Sequence, residues 1–103
     1  MTILEAAVRR VGVVQGGRAV AVLVQWDTAL QAMGDEWPEG IEAQVQAYAD
    51  WWRVAERTGW NDLRRFRAAF PGEETPARLM AAARDVWDER RGVRGLGAVA
   101  LPA

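Results

Sequence analysis

The chain contains no cysteine, no histidine, no lysine and no serine. Without cysteine there are no disulfides and no thiolate metal sites, which fits a cytosolic protein. Without histidine the imidazole bases and the usual zinc ligands are gone. Without lysine there is no Schiff-base amine, and without serine no Ser-His nucleophile. Carboxylates, four threonines and one tyrosine remain. That leaves a carboxylate-only hydrolase or a carboxylate Mg²⁺ site, and no acidic pair stands out for either. The expectation is a protein that is not an enzyme, with no metal and no cofactor. Long hydrophobic runs are missing as well. The longest, Ala19 to Val24, is far too short to span a bilayer, and no N-terminal stretch joins a basic start to a long apolar run. No membrane partner is expected.

What is present suits one domain. The 103 residues are 50% hydrophobic, enough for a real core, yet few enough that a homodimer would add stability. All 13 basic residues are arginine, and the net charge is −1. Such a total does not announce nucleic acid. The charge is unevenly placed, however. Residues 35 to 42, DEWPEGIE, hold four acids and no base, whereas residues 53 to 67 hold five arginines against Glu56 and Asp62. A local basic face can bind phosphate even when the total is near zero.

Hydrophobic spacing predicts an all-α chain of four or five helices. The first 14 residues are open between a helical stripe (Ile3, Leu4, Ala7, Val8, Val11) and one arm of a β-hairpin turning at Gly16-Gly17. From Arg18 to Met33, the residues Ala19, Leu23, Trp26, Leu30 and Met33 share one helical face, and Gly34 stops the helix. A loop marked by Pro38 and Gly40 leads to a helix from about Ile41 to Val54, with Ile41, Val45, Tyr48, Ala49 and Trp52 inward. After a break at residues 55 to 57, another helix runs to Phe70, where Pro71 and Gly72 end it. Thr75 and Pro76 then suit the cap and first turn of a last helix reaching about Arg91. Residues 1–91 are thus expected to form one domain. Residues 92–103 are expected to be a loose tail or an arm that packs on a partner.

The segment Val45 to Leu63 resembles the helix-turn-helix of the lambda-repressor and lac-repressor classes. Ala49 stands where the first helix needs a small residue, Trp52 and Val54 flank the turn, Thr58 is a common threonine position, and Leu63 is a core position. The wider run YADWWRVAERTGWNDLRRFRAAFP also resembles small helix-turn-helix proteins of high-GC bacteria and their phages. The resemblance implies a helix-turn-helix over about 41–70 that binds duplex DNA as a small transcriptional regulator. Four positions depart from the pattern. Arg53 occupies the usual glycine of the turn, and Ala55 replaces the capping serine. Gly59 replaces an apolar residue at a helix cost of about 1 kcal/mol. Asp62 stands near another apolar site. Thr58 would restore the cap by starting the helix later.

Stepping the second helix at 100° per residue puts Gly59, Leu63, Phe66 and Phe70 on one side, with Trp60 at the edge. Arg57, Asn61, Arg64, Arg65 and Ala68 fall on the other. Arginine pairs with guanine and asparagine with adenine in the major groove, so this face has the chemistry of base reading. Arg57, Asn61, Arg64 and Arg65 are the expected base readers, and Arg53 and Arg67 the expected phosphate contacts or braces. The alternative is a protein-interaction module of the same shape, a phage-type inhibitor or an adaptor. The surplus of tryptophan, six in all, favours it. Trp26, Trp52 and Trp87 fall on inward faces as core. Trp37, in the acidic loop, is either a protein contact or a loop anchor folded back on the core. Trp60 either stacks on a partner or covers Leu63.

Overall fold

The structure is a computed structural model that describes residues 2–77, 79 and 80. It is all-α: a small bundle of four helices with no strand among the described residues. The ambiguity at the start of the chain resolves to helix over residues 3–11 and again from Val13. Helix α1 (Ile3–Val11) opens on Thr2, whose Oγ1 accepts from the Glu5 amide at 2.9 Å, and closes with Arg9 and Arg10 at its negative end. Gly12, at φ 91°, turns the chain with a single residue, and α2 (Val13–Met33) starts at once. Gly16-Gly17 forms no hairpin turn. Gly16 is instead a contact point between helices: a Cβ there would lie 2.8 Å from the Val8 amide nitrogen, so only glycine lets α1 pack this close to α2.

Helix α2 spans the molecule and buries Gly16, Ala19, Val22, Leu23, Trp26 and Ala29 along one stripe. Gly34, at φ 54°, ends it, and a 3₁₀ turn over Gly34–Glu36 carries the chain to Trp37. Helix α3 (Ile41–Trp52) turns Val45, Tyr48 and Ala49 inward at the expected i, i+3, i+4 spacing. Helix α4 (Glu56–Ala69) buries Gly59, Leu63, Phe66 and Ala69 and packs against all three other helices. Phe70 follows, its ring 5.2 Å from that of Phe66. Gly72, at φ 94°, then turns the chain after Pro71.

The heart of the core is aromatic. Trp26 is fully buried, stacked on Tyr48 with ring centroids 5.1 Å apart, and meets the edge of Trp37 at 5.7 Å. Trp52 corrects the sequence reading. It is 39% exposed, and neighbouring Trp51 is 46% exposed. The inward stripe of α3 reaches the limit of the core at Ala49. One turn later, the Trp52 ring lies across α2 instead, where its Nε1 donates to the Gln25 carbonyl at 3.0 Å. The start of the last expected helix is present, with residues 76, 77, 79 and 80 helical and Pro76 buried. Its remainder, Trp87 and the tail lie outside the described residues.

Candidate nucleic-acid interface

The site is built on the short connection between α3 and α4. Arg53 ends α3 at φ 56°, ψ 46°, and is the one non-glycine residue at positive φ among the described residues. In that left-handed conformation the Val54 amide returns to the Ala49 carbonyl at 3.0 Å, satisfying the end of α3. Arginine therefore takes the backbone conformation that glycine would take without strain. Ala55 is extended and offers no side-chain cap. Its carbonyl accepts from the Thr58 amide at 2.9 Å and the Gly59 amide at 3.2 Å, so α4 begins at Glu56. Thr58 consequently lies inside the helix and is not its cap. The acid at Glu56 favours the helix start through the dipole instead.

Gly59 has a packing reason. A Cβ at this position would sit 3.1 Å from Val45 Cγ1 and 3.6 Å from Ala49 Cβ. The absent side chain lets α4 lie close across α3, offsetting the helix cost of glycine.

Asp62 decides the electrostatics of α4. Its side chain is only 16% exposed and turns inward. Oδ2 accepts the Tyr48 hydroxyl at 2.9 Å, and Oδ1 accepts Arg65 Nη1 at 3.2 Å. The Tyr48 oxygen is also 3.0 Å from the Gln25 side-chain amide. That contact is to Gln25 Oε1, and one hydroxyl has one proton; the carboxylate is the stronger acceptor, so Tyr48 donates to Asp62. Burial, first, and then the bond to Asp62 and its negative charge push the Tyr48 phenol well above its ordinary range, with Arg65 opposing.

The six expected DNA contacts then separate by environment. Arg57, Asn61 and Arg64 are exposed on the outer side of α4. Arg64 Nη1 donates to Asn61 Oδ1 at 3.3 Å, which holds the two side by side. Arg57 and Arg64 meet no carboxylate at ion-pair distance among the described residues. Arg65 is half-buried and paired with Asp62. Arg67 is half-buried, and its Nε donates to the Glu74 carbonyl at 2.9 Å, tying α4 to the chain beyond Gly72. Arg53 is exposed at the turn.

Asn61, Arg64, Arg65 and Ala68 also line a shallow cleft of about 420 Å³ whose opposite wall is Val11 and Gln15. The outer face of α4 is thus bordered by the α1–α2 corner. Nothing in the sequence signals this, because the contact depends on how α1 folds back at Gly12.

The two tryptophans considered for protein contact are both half-buried. Trp37 is a loop anchor, packed on Trp26. Trp60 packs against the core at the edge of α4. Among the described residues no three acidic side chains converge as a metal site, and no helix is long and apolar enough to cross a membrane. No family model matches the chain, and neither a curated protein nor a solved structure matches it.

Proposed function

We propose that the protein binds duplex DNA, with α3 and α4 acting as a helix-turn-helix and α4 as the reading helix, and serves as a small transcriptional regulator. The observation that carries this reading is the inward turn of Asp62. The one acid in the middle of α4 spends its charge on Tyr48 and Arg65. Arg57, Asn61 and Arg64 are left as an exposed face of cations and amide. Asn61 and Arg64 read bases, and Arg57 works beside them. Arg65 and Arg67, held by protein partners, brace the helix. Arg53 supplies a phosphate contact from the turn. An arginine kept in a left-handed conformation that glycine adopts freely points to use of its side chain.

A second reading, docking to another protein, draws on the exposed Trp51 and Trp52 at the end of α3. Site selection from a random duplex pool separates the two. The DNA reading expects an enriched sequence, and expects Arg64→Ala to cost about 1–3 kcal/mol on it while flattening preference at one position. A pool that enriches nothing overturns the DNA reading.

A further inference from the structure

We infer that copies of this chain associate head to tail, the corner between α1 and α2 of one copy seating in a groove at the far end of α2 of the next. The groove is lined by the apolar side chains Met33, Pro38 and Trp51 and by the carboxylates Glu36 and Asp50. It holds about 440 Å³ and draws on the acidic run 35 to 42, and among the described residues no arginine lines it. An apolar floor with an anionic rim fits an apolar knob carried among cations.

The chain presents such a knob itself. Val13 and Val14, in the first turn of α2, are 75% and 64% exposed, the two most exposed large apolar residues described. Arg9 and Arg10 precede them at the end of α1 and Arg18 follows, all exposed, with no acid between residues 9 and 18. Two adjacent valines held in water by an arginine-rich corner are a poor solution for a monomer and a good one for an interface.

The two patches do not meet within one molecule. They lie at opposite ends of the 21-residue α2, about 30 Å apart at the helical rise per residue. The contact is therefore between copies and heterologous: each contact uses one knob and one groove, and the pair still carries one free groove and one free knob, so association continues instead of closing at a dimer. The groove shares no residue with the outer face of α4, and the inference does not rest on the DNA reading.

The test is sedimentation velocity on the full chain over a concentration series at low salt, without DNA. Wild type should pass twice the monomer mass as concentration rises, and added salt should reverse this. Trp51→Ala removes the groove and Val14→Asp the knob, both at exposed positions, and each variant alone should remain monomeric. Mixed together, the two variants hold one intact groove and one intact knob, and the mass should stop at one-to-one pairs. A wild type that stays monomeric throughout overturns the inference. So does a closed dimer that survives either substitution.

Discussion

Tyr48 on α3 donates its hydroxyl proton to Asp62 on α4 across 2.9 Å, and this bond ties the two helices of the candidate interface together. It also withdraws the Asp62 charge from the outer face. The phenol is held neutral well above its usual range, first by burial and then by the carboxylate it serves. A phenol whose folded value is raised contributes its stability fully below the unfolded value of about 10. That stability is lost as the pH rises from there towards the folded value. With no lysine, histidine or cysteine, Tyr48 is the one side chain that titrates across this alkaline window. Urea unfolding should therefore give a flat stability from about pH 6 to 9 and a fall above about pH 10. Tyr48→Phe should abolish the alkaline fall. At neutral pH it should cost about 1–3 kcal/mol by leaving Asp62 short of a donor. An alkaline fall that persists in Tyr48→Phe would remove the phenol from the account.

Two adjacent glycines in α2 should respond in opposite directions. At Gly16 a methyl group meets the backbone of α1 at 2.8 Å, and nothing flexible can move aside. Gly16→Ala should destabilise by about 2–3 kcal/mol as the helices are forced apart. At Gly17 the same methyl meets open space, and Gly17→Ala should stabilise by about 0.5–1 kcal/mol through helix propensity. Thermal melts of the two variants check the pair. Equal effects would show that α1 does not pack on Gly16.

Trp52→Ala should cost about 1–2 kcal/mol, the worth of a half-covered ring and one hydrogen bond to the Gln25 carbonyl. Trp26→Ala, at the fully buried centre, should cost about 3–5 kcal/mol. Chemical denaturation of both would reveal a reversed order if Trp52 were the buried anchor.

The legible part of the fold was what periodicity controls. The inward residues of α4, those of α3 as far as Ala49, the stop at Gly34 and the split of α4 into an apolar and an Arg/Asn side follow from residue spacing. In α2 spacing found Ala19, Leu23 and Trp26 but also pointed to Leu30 and Met33, which are half-buried, and passed over Val22 and Ala29, which are buried. The start of the chain was ambiguous because glycine suits both a hairpin turn and a close helix crossing. Only the position of α1 tells which. Trp52 misled because helical phase gives a direction and not the length of the core beneath it. Asp62 stood out in the sequence as a misplaced acid. Its partner, Tyr48, is 14 residues away on another helix, and no local pattern announces such a pairing. Arg53 and Gly59 looked like departures from a motif, yet each fits its place: one adopts the turn conformation, and the other clears space for Val45.

Arg53→Gly separates backbone strain from the use of the side chain. Relief of the left-handed cost, about 1–2 kcal/mol, less the extra freedom of glycine in the unfolded chain, leaves a gain of about 0.5–1 kcal/mol. The same substitution should weaken binding to every duplex alike and reduce the salt slope by about one unit. Melting curves and anisotropy on the same preparation measure both. A variant that gains stability and loses no affinity would remove Arg53 from the interface.

The central claim is that the face of α4 engages duplex DNA, and its most direct test is the salt dependence of binding to a labelled random duplex. Anisotropy titrations between about 50 and 200 mM salt should show affinity falling steeply. On a random duplex the three exposed cations Arg53, Arg57 and Arg64 meet phosphates, so the log–log slope should be about −2 to −3. No binding at the lowest salt, or a slope near zero, would contradict the account.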